Sequence, residues 1–179
     1  AIGVSVAALP GLDILVNNAG INIPEPFTEV PEDHFDRIMA INVRAVFMAS
    51  QAASRRMIAD GAGGSIINMS SQMGHVGARL RTVYCSSKHA VEGMTKAMGV
   101  ELAPHNIRVN SIGPTFILTP TTRPYFENRE FNDDTMGRIP LGRLGELEDI
   151  MGAVVFLASP AAALITGASL VIDGGWTAI

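Results

Sequence analysis

Ser71, Tyr84 and Lys88 stand in the stretch SSQMGHVGARLRTVYCSSK, which runs from Ser70 to Lys88. A tyrosine and a lysine at i and i+4 lie on one face of a helix, one turn apart. A free phenol has a pKa of about 10 and is a poor base at neutral pH. Bringing it to about 7 takes roughly three pKa units, or about 4 kcal/mol. One ammonium held about 4 Å away supplies roughly that much at an effective dielectric of ~20. The spacing therefore predicts a lysine that turns the tyrosine into a usable acid/base, and a serine hydroxyl that holds the oxygen whose proton moves. A tyrosine and a lysine four residues apart are common by chance. Here the serine follows a strand-like run, GSIINMS, and the tyrosine opens a helical one, so the three groups are expected to converge.

The elements that would position them follow from periodicity. Residues 1–11 are small and apolar and end in Pro10-Gly11; they read as the tail of a helix entering a turn, or as a chain boundary. Leu12 to Val16 is a buried parallel strand, closed by Asn17-Asn18-Ala19-Gly20 at the end where ligands bind in open α/β sheets. Pro31-Glu32-Asp33 starts a long helix to about Met57, with proline in its first turn and acids at its positive end. Gly63-Gly64 introduces the strand Ser65–Met69, a second long helix spans Thr82 to Ala103, and Ile107–Ile112 is the next strand. Leu147 to Leu157 is an apolar helix and Leu170–Ile172 the last strand. The segment 115–145, polar and broken by prolines, has the character of a mobile cover over a site.

The pattern S-x12-Y-x3-K, with LDILVNNAG before it, IRVNSIGPTFILTP after it and TGASLVIDGG at the end, resembles the short-chain dehydrogenases/reductases. The resemblance implies nicotinamide-dependent oxidoreductases on an α/β, Rossmann-like doubly wound parallel sheet. It implies four catalytic residues: Tyr84 giving or taking the proton, Ser71 polarising the substrate oxygen, Lys88 lowering the tyrosine pKa and holding the nicotinamide ribose, and Asn42 kinking its helix to position a relay water. Asn18, Ala19, Gly20, Tyr84, Lys88, Pro114, Ile117 and Thr119 would bind NAD or NADP. Thr115 stands where the family has a glycine. The family's first βαβαβ portion, with the glycine-rich pyrophosphate turn and the residue that reads the ribose 2′ position, has no counterpart here. The expectation is a single domain over 1–179, lacking that portion, with the LDILV strand at an open edge.

Composition narrows the partners. Hydrophobic residues make up 47% of the 179 and charged ones 17%, which suits a real core and a subunit that hides further surface. Net charge is −4 with 13 scattered lysines and arginines, so no nucleic-acid surface is expected. The single cysteine, Cys85, excludes an internal disulfide and fits the cytoplasm, and no apolar run approaches membrane-spanning length. His34, His75, His89 and His105 show no metal-ligand spacing. The two long helices have apolar residues beyond one sheet face, and with the resemblance they imply a homodimer or homotetramer.

The loop before Tyr84 carries His75, Arg79 and Arg81, and the 115–145 segment adds Arg123 and Arg129. Guanidinium groups grip carboxylates through paired hydrogen bonds. The expected reaction is interconversion of a secondary alcohol and a ketone on a sugar, polyol or sugar acid, a small-molecule substrate. Reduction of a 3-oxoacyl thioester, or a catalytically silent fragment or dinucleotide-binding scaffold, are the alternatives. Surface ion pairs are the ordinary fate of such arginines.

Overall fold

The computed structural model describes residue 6 and residues 9–178. The reading of the opening residues as a helix tail or boundary falls mostly outside them. Four parallel strands form one sheet in sequential order: β1 (Ile14–Asn17), β2 (Gly64–Met69), β3 (Ile107–Pro114) and β4 (Ser169–Ile172). β2 and β3 are buried along almost their whole length, as parallel strands covered by helices are. Registers such as Ile66 beside Val109 and Leu15 beside Ile66 align the carboxyl ends of the strands on one rim.

Helices cover both faces. On one side Ala53, Met57, Ile66, Ile107 and Val109 form a core closed by Met98 and Leu102. Ala53 and Met57 belong to the helix α2 (Ala45–Asp60) and Met98 to α3 (Thr82–Glu101), both packed on the sheet. On the other side Ile67, Ile112, Ile150, Leu157 and Ala162 form a second core under α6 (Leu147–Ala158). The fold is the α/β, doubly wound parallel arrangement that the alternation of strands and helices predicts. Between the cores, a buried polar chain ties helices to sheet: Asn17 Nδ2 donates to Ser50 Oγ and Asn68 Oδ1 at 2.9 and 2.8 Å, and Asn68 Nδ2 donates to Thr95 Oγ1 at 2.9 Å. Each amide inside the sheet is satisfied, which removes the cost of burying it.

Two departures from periodicity matter. The first long helix is α1 (Glu32–Met39), then a π-helical turn over Ala40–Arg44, then α2. The extra residue in that turn puts the Ala45 amide on the Ala40 carbonyl. The expected kink at Asn42 is thus a widened turn with a helix on either side. The segment after β3, read from the sequence as polar and broken by prolines, holds two short helices, α4 (Arg123–Phe126) and α5 (Arg129–Gly137). Asn128 separates them and caps the second, its Oδ1 accepting from Phe131 N at 3.0 Å. None of the described helices is long and apolar enough to cross a membrane.

Candidate active site

The carboxyl rim of the sheet opens into a cavity of about 520 Å³. β1 delivers Asn18 and Gly20 to it, β2 delivers Ser70 to Met73, and β3 delivers Pro114 to Ile117 and Thr119. α3 supplies Arg81, Tyr84 and Lys88. Ser71, Tyr84 and Lys88 therefore line one wall, as their spacing predicts. Ser71 leaves β2 in an extended conformation and caps the next turn, its Oγ accepting from Met73 N at 3.1 Å. Lys88, only 5% exposed, donates from Nζ to Met69 O at 2.8 Å, and Nζ lies 5.6 Å from the centre of the Tyr84 ring.

The electrostatics correct one expectation. Burial pushes the Tyr84 phenol above its ordinary value; interaction with the Ser71 hydroxyl and the Arg81 charge opposes this without overcoming it. Lys88 does not bring the tyrosine toward 7 in this structure. The reason is that the same burial penalises a phenolate and an ammonium alike: Lys88 itself falls to about 8, with the Glu92 carboxylate countering the loss.

Asn42, fully buried, sits at the centre of the π turn. Its Oδ1 accepts from Ile21 N and its Nδ2 donates to Ile21 O, both at 2.8 Å, and Nδ2 also reaches Ser87 Oγ at 3.0 Å. Ser87 Oγ in turn donates to Tyr84 O at 2.7 Å. One side chain thus fixes the loop after β1 against the helix that carries Tyr84. Gly20 lies beneath it: a Cβ there would stand 3.5 Å from both Asn42 Oδ1 and Lys88 Nζ. Ala19 lies between two lining residues without lining the cavity itself.

Of the residues expected to meet substrate, Arg81 alone reaches the cavity. Its guanidinium is 5.8 Å from the ring centres of both Phe116 and Phe131, a double cation–π seat. Arg79 offers only its backbone oxygen, to Arg81 Nη1 at 3.3 Å. His75 does not line the cavity; its Nε2 lies 3.0 Å from Ser169 Oγ. Arg129 is almost wholly in solvent, 3.7 Å from Asp133, and Arg123 is exposed and off the cavity wall.

Several lining residues escape a reading of spacing. Gln72 is 1% exposed, and neither of its amide atoms has a hydrogen-bond partner among the described residues. Ser70 Oγ, Arg81 Nε and Thr115 Oγ1 are buried and partnerless in the same way, and all four residues line the cavity. Buried polar atoms are normally paired, so these four residues stand out along the cavity wall. Gln72 could have been found as the residue directly after Ser71. Phe116 and Tyr125 carry no such signal, because they join the wall only through an aromatic cluster with Phe126, Phe131 and Trp176.

Comparison with known proteins agrees with this geometry. The family model described as enoyl-(acyl carrier protein) reductase matches residues 2–177. L-xylulose reductase of Bos taurus is 41% identical over 93% of this chain and 68% of its own length. The 2-dehydro-3-deoxy-D-gluconate 5-dehydrogenase of Escherichia coli is 41% identical over 97% of this chain and 69% of its own. Among solved structures, a gluconate 5-dehydrogenase from Burkholderia cenocepacia in complex with NADP and tartrate superposes with a TM-score of 0.95 at 34% identity, covering 99% of this chain and 71% of the other. With a Ser, Tyr and Lys converging at the rim of a parallel sheet, and relatives of this identity along almost its whole length, the chain belongs to the short-chain dehydrogenase/reductase family.

Proposed function

We propose that this chain carries the catalytic part of an NAD(P)-dependent oxidoreductase that reduces the ketone of a sugar or sugar acid to a secondary alcohol, and runs the reverse reaction on the matching polyol or hydroxy acid. The observation that carries this reading is the cavity wall: Ser71, Tyr84 and Lys88 together, with four residues around them that carry partnerless polar atoms, the seated Arg81 among them. Relatives named for xylulose, erythrulose and gluconate-type substrates support the substrate class. The residues present fit the nicotinamide end of the cofactor. Asn18, Ala19 and Gly20 form the loop after β1; Pro114, Ile117 and Thr119 form the loop after β3; Lys88 lies between them. Thr115 Oγ1, buried without a partner among the described residues, is a further donor on that side. Bound NADH or NADPH supplies the hydride.

The chain's own residues manage the oxygen. Tyr84, held protonated by its burial, is suited to donate a proton to the carbonyl oxygen as that oxygen gains charge. Ser71 Oγ donates to the same oxygen and orients it. Lys88 keeps a positive charge beside the phenol, so the tyrosinate left after donation is stabilised. Asn42 holds the Ile21 loop and the Tyr84 helix in register, and Arg81 receives a carboxylate or hydroxyl of the substrate. We further infer one domain over the chain, with 115–145 as its cover, seated by the Phe116 cluster; a homodimer or homotetramer; and a cytoplasmic location, which the buried free thiol of Cys85 fits. The test is turnover of ketoses, polyols, sugar acids and 3-oxoacyl thioesters with NADH and NADPH, on the chain extended to include a pyrophosphate-binding portion. Turnover confined to the thioesters would transfer the assignment to the reductases of acyl chains, and none at all would leave the cavity a binding site.

A further inference from the structure

Glu92 is buried to 5% exposure on α3, one turn beyond Lys88, and the reaction just described makes no use of it. Tyr84, Lys88 and Glu92 follow each other at i, i+4 and i+8, so they share one helix face. The turn after Ser71 seats directly on that face. A Cβ at Gly74 would stand 3.0 Å from Glu92 Cγ, 3.1 Å from Lys88 O and 2.8 Å from Ser70 Oγ, so only glycine lets the loop approach this closely. From the sheet side, Ser111 Oγ on β3 donates to Glu92 Oε2 at 2.8 Å and Ser169 Oγ on β4 donates to Oε1 at 3.3 Å. His75 Nε2 reaches the same Ser169 hydroxyl at 3.0 Å and lies 3.5 Å from Oε1.

A buried carboxylate needs donors and a counter-charge. The donors are the two serines. For charge, β3 and β4 present only those hydroxyls, since Arg108 on β3 is turned to Ser159 O. The loop presents His75. Its own helix presents Lys88, one turn away and equally buried, and Lys96, which is exposed; neither makes an ion pair with Glu92 among the described residues. Lys88 is thus the buried cation nearest in sequence on the face that this carboxylate shares.

We propose that Glu92 is a positioning residue for the reaction: anchored through Ser111 and Ser169, its carboxylate keeps Lys88 an ammonium beside Tyr84, and His75 connects the pair to solvent. The importance of that ammonium rests on the oxidoreductase reading; the coupling itself does not. Burial already draws Lys88 down to about 8 against the opposing pull of Glu92. Without the carboxylate, nothing named here opposes that fall, and less of the amine would stay charged beside the phenol.

The chain contains only two lysines, Lys88 and Lys96, so lysine labelled with ¹³C at its ε carbon gives two titrating NMR signals, assigned with Lys96→Arg. Glu92→Gln keeps the acceptor for Ser111 and removes the charge. The expected result is a Lys88 midpoint about one pH unit lower in Glu92→Gln, and lower by about half that in Glu92→Asp, whose carboxylate is withdrawn by one methylene. Lys96, in water, shifts by a few tenths at most. A Lys88 midpoint unchanged in folded Glu92→Gln overturns the proposal and leaves Glu92 a structural anchor. Should circular dichroism show that variant unfolded, Glu92→Asp decides, and an unchanged midpoint there overturns it equally. Since the titration needs neither cofactor nor substrate, a chain that shows the shift but turns nothing over refutes the oxidoreductase reading alone.

Discussion

Tyr84 and Lys88 pull the chemistry in a direction that a residue-by-residue view of charge would miss. Their burial keeps the phenol protonated and weakens the ammonium, so the resting site is set to give a proton, as ketone reduction requires. Tyr84→Phe preserves the ring and removes the proton, and turnover by the cofactor-competent chain should fall by at least ~10²–10⁴. Full retention of turnover would remove Tyr84 from its role. Lys88 also has a signature in stability. Its folded value of about 8 lies below its ordinary 10.5, so the unfolded chain binds more protons between those two pH values. Stability contributed at this site therefore rises with pH across that window. The wild-type urea midpoint should gain on that of Lys88→Met between pH 8 and 10; a constant gap would mean the ammonium is not desolvated. For substrate, Arg81→Ala should raise KM for an acidic substrate ~10-fold or more while sparing its neutral analogue. Arg79→Ala should do neither, since its side chain is off the cavity. Equal effects of Arg81→Ala on both substrates would leave it a wall residue.

At the scale of elements, the site depends on how helix ends and turns are held. The π turn exists to bring Asn42 inward, where it holds both backbone groups of Ile21 and touches Ser87. Asn42→Ala strands those groups in a buried place, and a loss of roughly 1–3 kcal/mol in urea unfolding is expected; a smaller loss would mean water replaces the amide at little cost. α6 is held at its start by a charge pair instead. Arg143 forks onto Asp149 at 2.7 and 2.8 Å, and Asp149 also accepts from the Glu146 amide at 2.8 Å. The arginine, with that amide, holds the Asp149 carboxyl well below the usual carboxylate range. Stability from this group is thus present above the unfolded value near ~3.9 and lost as pH falls below it. Amide exchange in the first turn of α6 should quicken between pH 5 and 3 more than in the middle of α3, and parallel behaviour of the two would rule out the cap as the cause.

For the whole molecule, several large apolar side chains that do not line the cavity are exposed. Phe47, Met48 and Ile58 are exposed on α2 and Val100 on α3, while Leu147, Met151 and Val155 line the outer side of α6. Exposed apolar side chains grouped on one helix suit burial against another copy. Sedimentation at micromolar concentration should show a dimer or tetramer, and a clean monomer would count against the proposed assembly. The cavity lies at the strand ends, and none of these residues lines it.

What the amino-acid order determined was everything local or periodic. Ser71, Tyr84 and Lys88 were legible because strand and helix periods fix which side chains reach a rim, and the parallel sheet follows from alternating apolar elements. Asn42 was legible as an oddity within a helix. The tertiary structure alone decided which loop arginine enters the cavity, because Arg81 is drawn in by Phe116 and Phe131, one of them 50 residues away in a separate helix. It alone brought His75 to Ser169, across 94 residues of chain. It also reversed the direction of the tyrosine's shift, since burial is a property of everything packed around a group and spacing between two residues carries no measure of it.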